Sequence, residues 1–592
     1  QGCELWRLLW IPPCVPYYRL GGVFGHAVLS KYTKRLIFSN WRVVPKAIAG
    51  LTSYAAERQM FLSLDKNAKN TPEARERRAR LLEFSRSQGR LTGMPVLGLI
   101  YPCSWFAKEF DPLWLGDVPE RSDQPDCESL LERIRQDIDV ALGSLIEGRA
   151  DSGPADADWY WAAGILLDAE HDPRIVEAWF EEEELAYWWR GEHVPGRDGT
   201  EDSAWADHVE RAREIVANPS RLGRPPSDLS RVLAEMALGG PATLALRALS
   251  RVCNGDAATS DDAVRFAAAN IGWAIRTLYN LPEVTAMIRG LNAEEPYWRR
   301  TLEYSIHGCL QAVLDEYVHL LHESRSLAGR DVAGKADDLA AAITEAVTLR
   351  VSQPRVDDIR TDADAKIDVA PRIMRARFAL RFGDDQSEEE STRRRKEHVR
   401  AAFNSPFWPF VLATTSIGQE GLDFHQYCHA VVHWNLPGNP VDLEQREGRV
   451  HRYKGHAVRK NVAARHQDAF AQGMSDDPWQ MMFDAALTEP GRTNELVPYW
   501  LYPVPDGAMI ERHLPLLPLS RDHQLLPPLK HALAVYRMVF GQPRQDDLLD
   551  YLSQHLSVTE LSQKMLDLRI DLSPLDGGLQ PETDLTAGIP ID

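Results

Sequence analysis

The segment that most constrains the fold is residues 411–452, VLATTSIGQEGLDFHQYCHAVVHWNLPGNPVDLEQREGRVHR. FWPFVLATTS, which overlaps its start, and HAVVHWNLP are short apolar runs with the length and β-branched content of buried strands. The first run ends in small hydroxylated residues, Thr414, Thr415 and Ser416. Open α/β sheets bind ligands at the carboxyl ends of their strands, and Gly418 and Gly421 permit close backbone approach there. With the carboxylate of Asp423 nearby, the pattern predicts a ligand-binding sheet edge.

A helix is predicted next, in NPVDLEQREGRVHRYKGH, because Pro440 is well suited to a first helical turn. Gln445, Arg449 and Arg452 lie on this predicted helix, and the two arginines, three positions apart, leave the same face. Guanidinium forks on a rigid helix suit a triphosphate, because they bind phosphate oxygens and stabilise the charge of phosphoryl transfer. Gly448 leaves room for close approach by a second surface. The arrangement therefore predicts a partner that holds the rest of a nucleotide.

The rest of the chain alternates between α/β and helical patterns. Arg35–Ser39 is predicted as a short buried strand before a helix, in which Ile48, Leu51 and Tyr54 recur at helical spacing. Helical periodicity then dominates, most clearly in DDAVRFAAANIGWAIRTLYNL and YWRRTLEYSIHGCLQAVLDEYVHLLHES. RIMRARFALRFGDD and ESTRRRKEHVRAAFNSP, predicted as a strand and a basic helix, resume the α/β pattern. The predicted divisions are a connector (1–27), the start of a lobe (28–60), a helical insertion (61–370), the rest of the lobe (371–466) and a C-terminal extension (467–592).

Three of these segments resemble helicase motifs. TTSIGQEGLDF resembles motif V of superfamily 2 helicases, QREGRVHR resembles motif VI (Q-x-x-G-R-x-x-R), and KRLIFSNW resembles motif IV. The resemblance covers roughly residues 28–60 and 370–466, under a third of the chain, and motifs V and VI together make it specific. The large insertion and the sequence LEQREGRVHR resemble those of bacterial members of the Swi/Snf-like branch. The resemblance implies an α/β fold: a RecA-like parallel-sheet lobe, interrupted by a large all-helical insertion and followed by a mostly helical extension.

By position, the resemblance also implies roles for individual residues. Arg449 and Arg452 would be arginine fingers that reach the γ-phosphate of ATP across a cleft between two lobes, with Gln445 beside them. The residues that would couple the nucleotide site to nucleic acid are Gly421, Asp423 and Gly448. The residues that would line the nucleic-acid backbone groove are Phe38, Ser39, Thr415 and Ser416. The implied activity is ATP-dependent translocation on nucleic acid, preferentially duplex DNA, to remodel bound proteins or to support restriction-like defence.

The sequence lacks the motifs of a first helicase lobe. It contains no G-x-x-x-x-G-K-[ST] phosphate loop and no DEAD- or DEAH-like acidic motif, which would supply the phosphate cradle and the Mg²⁺ ligand. Because it starts without Met, we expect the first lobe upstream in a longer protein or on a separate chain, and we expect this chain alone to be inactive. The alternatives are a subunit of a split motor and a non-catalytic interaction module with a relic lobe. The intact pair Arg449 and Arg452 disfavours a relic.

Composition limits the remaining possibilities. The net charge of −19 argues against nucleic-acid binding by the whole surface, although a local basic track is compatible with it. The cysteines show no C-x-x-C spacing, which favours a reduced, cytoplasmic protein, and no run approaches the ~20 apolar residues of a membrane helix. Four potential metal ligands, His425, Cys428, His429 and His433, straddle a predicted strand. Because strand neighbours point to opposite faces, no metal site is predicted.

Two further patterns each have two interpretations. The basic run Arg393–Lys396 follows the acidic run Glu388–Glu390, which favours a solvated helix start over a contact to a nucleic-acid backbone. Five tryptophans lie among acidic residues: Trp159, Trp161, Trp179, Trp188 and Trp189. Aromatic residues that stack on bases are normally accompanied by basic ones. These tryptophans are therefore predicted to be helical core or a protein-contact surface.

Overall fold

The computed structural model describes most of the chain, namely residues 4–68, 80–87, 90–115, 125–147, 153–181, 200–291, 294–348, 355–361, 367–373, 376–382, 390–415, 422–472, 477–490, 496–538, 555–557 and 560. The strands in chain order are β1 Arg35–Phe38, β2 Arg86–Ser87, β3 Arg90–Leu91, β4 Arg355–Thr361, β5 Ile367–Ile373, β6 Ala379–Phe382, β7 Val411–Thr414, β8 Ala430–His433 and β9 Glu511–His513.

The helices up to residue 253 are α1 Ala27–Ser30, α2 Val43–Leu64, α3 Met94–Ile100, α4 Ser104–Glu109, α5 Cys127–Ile146, α6 Trp159–His171, α7 Pro173–Glu181, α8 Thr200–Ala217, α9 Leu229–Gly239 and α10 Pro241–Cys253. Those that follow are α11 Asp262–Tyr279, α12 Pro282–Leu291, α13 Tyr297–His307, α14 Leu310–Ser324, α15 Val332–Val347, α16 Glu390–Phe403, α17 Pro440–Gly448, α18 His456–His466, α19 Pro478–Thr488 and α20 Asp522–Met538.

A parallel sheet of five described strands, ordered β6-β7-β1-β8-β9, forms the lobe. Leu36 of β1 is in register with Leu412 of β7 and with Val431 of β8, and all three side chains are fully buried on one face. Parallel strands need helical crossovers that cover the sheet faces; α2, for example, packs on β6 and β7. The predicted α/β lobe is confirmed, and β1, β6, β7 and β8 each fall within a segment predicted as a strand.

The fifth strand comes from the C-terminal extension. β9, with the polar sequence Glu-Arg-His, pairs in parallel with β8 so that Ala430 is in register with Glu511. The extension also contributes α20, whose Leu533 packs with Leu436 and Leu443 of the lobe. The lobe and the extension therefore share one sheet and one set of packed side chains.

The helix after β1 is present, but it buries a different face from the one predicted. Leu51 and Tyr54, predicted as its apolar stripe, are exposed at 65% and 42%. The buried positions are mostly small or lie later in the helix: Val44, Pro45, Ala49, Gly50, Ser53, Ala56, Glu57, Met60 and Phe61. Small residues let α2 approach the sheet closely, and Ser53 Oγ donates to the carbonyl oxygen of Ala379 at 3.0 Å.

In the part of the predicted insertion that the structure describes, two antiparallel strand pairs, β2–β3 and β4–β5, accompany the helices, so "all-helical" was wrong. α3–α15 pack around one apolar core. Trp159, Trp161 and Trp179 are fully buried in it, which confirms a core role for them; Trp188 and Trp189 lie outside the described residues. The long helix predicted at 297–324 is divided at Gly308, where an added Cβ would lie 2.7 Å from Trp10.

The predicted connector, residues 1–27, is packed against both the helical region and the sheet. Leu8, Leu9, Trp10 and Ile11 are at most 1% exposed. The amide of Ile11 donates to the carbonyl oxygen of Pro406 at 2.9 Å, and the Trp10 ring meets those of Phe24, Tyr304 and Phe407. This segment thus joins the helical core to the lobe.

In the part of the chain that the structure describes, no single helix is long and apolar enough to cross a membrane. The bent pair α9–α10 passes a test of length and composition. Most of its side chains are buried in the helical core.

Candidate nucleotide-facing site

The helix that leads to the two arginines is α17. Asn439 caps its first turn, because its side-chain oxygen accepts from the amides of Val441 at 2.7 Å and Asp442 at 3.3 Å. The helix ends at Gly448, so Arg449 is its C-terminal cap and Arg452 lies beyond it. The prediction that one helix carries both arginines was therefore wrong. What brings them together is the tertiary fold rather than helical spacing.

Arg449 is held against the core strand β1. It is 7% exposed, and its guanidinium carbon lies 5.8 Å from the centre of the Phe38 ring. Arg446, one turn earlier and 1% exposed, covers the same ring at 5.4 Å. Arg446 also donates to Asn40 Oδ1 at 2.7 Å and to the carbonyl oxygen of Asn435 at 3.2 Å. Phe38 and the two asparagines thus fix the helix end to the carboxyl edge of the sheet.

Arg452 is joined to the segment that contains motif V. Its Nε donates to Asp423 Oδ1 at 2.8 Å, in a pair whose side chains are 38% and 41% exposed. The neighbouring amide of Phe424 donates to the carbonyl oxygen of Arg449 at 2.9 Å. Gly448 is also close to Arg452, since a Cβ added at Gly448 would lie 3.4 Å from Arg452 Nη1. Asp423, Gly448, Arg449 and Arg452 are therefore neighbours, as a common site requires.

The carboxylate between these arginines is occupied elsewhere. Glu447 forms a bidentate ion pair with Arg512 of β9, with 2.6 Å between Oε2 and Nη2, and lies 3.3 Å from His433 Nε2. Burial would raise the pKa of Glu447, but these contacts with His433 and Arg512 outweigh it and lower the pKa to about 2. Because the carboxylate of Glu447 contacts His433 of β8 and Arg512 of β9, its side chain is directed toward these two strands.

The site has a surplus of positive charge. Burial and the charge of Arg449, only partly offset by Asp442, lower the pKa of Arg446 to about 10. Burial, and then the charge of Arg452, also lower the pKa of Arg449, with Asp423 acting in the opposite direction. Like charges this close favour an anion that can lie between them. The arrangement is chemically suited to phosphate oxygens.

The other predicted site residues lie around this edge with varied exposure. Gln445 is exposed on α17, and Thr415 is partly buried just after β7. Ser39 is 1% exposed and donates to Asn435 Oδ1 at 3.1 Å, while Phe38 is fully buried. A side-chain role at a nucleic-acid groove requires exposure, but the Phe38 ring lies in the lobe core and supports Arg446 and Arg449. Ser416 and Gly421 lie outside the described residues, as do the side chains of Arg393, Arg394 and Arg395.

Several residues of this edge were missed from the sequence. Asn40, Asn435 and Arg446 connect β1, β8 and α17. A usable signal was present, because Asn40 follows one predicted strand and Asn435 lies near the end of another, and the carboxyl ends of parallel strands meet at one sheet edge. Arg446 is one turn before Arg449 and could have been paired with them. The role of Arg512 gave no local signal.

The histidines that might suggest a metal site have different partners. His429 Nδ1 lies 3.2 Å from His456 Nδ1, whereas His433 meets Glu447 and Cys428 Sγ donates to the carbonyl oxygen of Lys34. Among the described residues, no group of three or more His, Cys, Asp or Glu side chains is arranged to hold a metal ion.

The buried pair His429–His456 predicts a pH-dependent stability. Burial, and then His429, hold the pKa of His456 well below its ordinary value of 6.5, so the unfolded chain takes up a proton there that the folded protein does not. The stabilising contribution is complete above pH 6.5 and is lost as the pH falls toward the folded pKa, with a slope of up to ~1.4 kcal/mol per pH unit. We expect His456→Gln to flatten the dependence of the thermal unfolding midpoint on pH between 7.5 and 5. An unchanged slope would contradict this assignment.

Part of the chain is similar to a known protein domain. Residues 386–454 match the model of the helicase conserved C-terminal domain. No curated protein and no solved structure matches the chain. The matched range contains β7, β8 and α17 with both arginines. The match supports a helicase C-terminal lobe in this part of the chain.

Proposed function

We propose that the chain is the second motor lobe of an ATP-dependent translocase of the Swi/Snf-like type that moves on duplex DNA. The observation that carries the proposal is a group of three guanidiniums. Arg446 and Arg449 lie over Phe38 at the carboxyl end of β1, and Arg452, whose charge acts on Arg449, pairs with Asp423. Arg446 is committed to Asn40 and Asn435. Arg449 and Arg452, the two arginines of the Q-x-x-G-R-x-x-R motif, stabilise the charge developing on the γ-phosphate of ATP.

In this mechanism each residue has a positional task. The Phe38 ring supports Arg449, and Asp423 orients Arg452 through the 2.8 Å bond to its Nε. Nη1 of Arg452 donates to the carbonyl oxygen of His451 at 3.1 Å, so Nη2 is the atom that faces phosphate. Gln445, exposed on α17, orients water or phosphate beside them. Closure of two lobes around ATP would complete the site, and reopening after hydrolysis would advance the nucleic acid.

A first lobe is a better place for a Mg²⁺ site than Asp423 and Glu447, the two carboxylates beside the arginines. Asp423 pairs with Arg452, and Glu447 pairs with Arg512 and His433, so both carboxylates are already matched by cationic or hydrogen-bonding partners. Hard cations need carboxylate oxygens that are available for coordination. We propose that the first lobe, upstream in the same protein or on another chain, holds Mg²⁺ and the rest of the triphosphate.

The proposal is tested by ATP turnover of the protein assembled with its first lobe, with duplex DNA, single-stranded DNA or RNA added in turn. We expect turnover on the order of 10 s⁻¹, with the largest stimulation by duplex DNA. Greater stimulation by RNA would overturn the proposed substrate. An assembly that binds nucleic acid but never turns over ATP would favour the alternative, a non-catalytic interaction module.

A further inference from the structure

Lys454, two residues after Arg452, is buried where four parts of the chain meet. It is 3% exposed, and its ammonium donates to Glu323 Oε1 at 2.5 Å. The same nitrogen lies 4.0 Å from the centre of the Phe483 ring and 3.4 Å from His319 Nε2. Burying a lysine is unfavourable unless its charge is matched, and here both a carboxylate and an aromatic face match it.

The backbone of Lys454 is fixed as tightly as its side chain. Its amide donates to the carbonyl oxygen of Tyr499 at 2.7 Å, and its own carbonyl oxygen accepts from Arg459 Nη1 at 2.8 Å. Its φ of +45° lies in the left-handed region, which a side chain rarely adopts without surrounding support. The next amide, of Gly455, donates back to the carbonyl oxygen of Arg452 at 3.0 Å. The position of Lys454 therefore constrains the turn that starts at Arg452.

The carboxylates and the histidine that meet Lys454 and the nearby Arg459 of α18 come from one face of α14, a helix of the helical region. Glu316, His319 and Glu323 are spaced at i, i+3 and i+7, and so lie on one side of that helix. Glu316 accepts from Arg459 Nε at 2.9 Å in a pair that is at most 2% exposed.

From these contacts we infer that α14 positions the arginine segment through Lys454, which makes Lys454 a positioning residue for ATP hydrolysis. The inference rests on the proposed function, because it assigns a kinetic role to a contact with Arg452's turn. The helical region then acts as a support whose displacement shifts Arg452 relative to the nucleotide. An offset of about 1 Å in such a group can lower a rate by about 100-fold.

The test compares Lys454→Met with the double variant Lys454→Met/Glu323→Gln, each assembled with the first lobe. We expect both to lower kcat by about 10- to 100-fold while KM for ATP changes less than about threefold. Lys454→Met should also lower the thermal unfolding midpoint, because it leaves the carboxylate of Glu323 without its ammonium. Removing that carboxylate charge in the double variant should restore the midpoint without restoring kcat. Amide hydrogen exchange in peptides covering 449–456 should be faster in both variants. Lys335→Met, which removes an ammonium bonded to the carbonyl oxygen of Val252, is the matched control and should behave as wild type.

Each remaining outcome decides the question. Recovery of kcat together with the midpoint in the double variant would mean that the single variant suffers only from an unmatched carboxylate, which overturns the positioning role. Wild-type kcat and exchange in Lys454→Met would also overturn it. If Lys454→Met does not fold, the double variant provides the same comparison. If the wild-type assembly shows no turnover, the proposed function fails, and exchange at 449–456 in the chain alone still decides whether Lys454 anchors the turn.

Discussion

Replacing Arg449 with alanine is expected to lower nucleic-acid-stimulated ATP turnover of the assembled motor by about 10³-fold or more, the usual contribution of an arginine finger. Arg449 lies against Phe38 with Arg452 close enough to depress its pKa, so the pair is arranged to meet an anion. The loss should appear in kcat rather than in the affinity for nucleic acid. Steady-state turnover at saturating ATP and duplex DNA measures it.

Two companion variants separate chemistry from folding. Arg449→Lys retains a positive charge and the packing of an aliphatic stem but loses the planar fork, so we expect it to remain strongly impaired. Arg330→Ala removes an exposed arginine that pairs with Asp338 in the helical region, and it should leave turnover unchanged. Turnover by Arg449→Ala within a fewfold of wild type, in a folded protein, would reject Arg449 as the finger.

Replacing Glu316 with alanine is expected to destabilise the protein by about 3–5 kcal/mol, because it leaves the guanidinium of Arg459 buried without its carboxylate. The two side chains are at most 2% exposed and lie 2.9 Å apart. Glu316 also accepts a hydrogen bond from the amide of Cys14 at 3.2 Å, so the substitution removes a contact to the N-terminal segment as well. The free energy of unfolding from chemical denaturation measures the effect.

The double variant Glu316→Leu/Arg459→Met distinguishes an unmatched charge from lost packing. Replacing both members of a buried pair by apolar residues removes the charge penalty, so we expect it to recover most of the lost stability. Asp338→Ala, which breaks the exposed pair with Arg330, should cost about 0–1 kcal/mol. A Glu316→Ala effect as small as that of Asp338→Ala would show that the buried pair contributes little.

Local sequence patterns predicted the strands of the lobe well. β1, β7 and β8 are short and mostly apolar, and burial on a parallel sheet favours that composition. The helix containing Asp262–Tyr279 was found from its periodicity, since it buries one continuous face in a large core. The family resemblance located the arginines, and the structure adds how Phe38 and Asp423 hold them.

What the sequence did not predict depends on contacts between distant segments. β9 is Glu-Arg-His, which has no apolar alternation and becomes a strand because it pairs with β8. The division between α13 and α14 follows from the approach of Trp10 to Gly308, almost 300 positions away. Arg452 meets Asp423 only after α17 has ended, so helical spacing could not identify their pairing.

The pairing of β9 with β8 also determines how short a version of this lobe can be and remain well behaved. A protein that ended at residue 454, where the match to the helicase conserved C-terminal domain stops, would leave backbone amide and carbonyl groups of β8 without a neighbouring strand. Such unpaired borders recruit strands from other molecules and promote aggregation. It would also leave Glu447 without Arg512. Truncated versions intended for expression should therefore extend at least through His513.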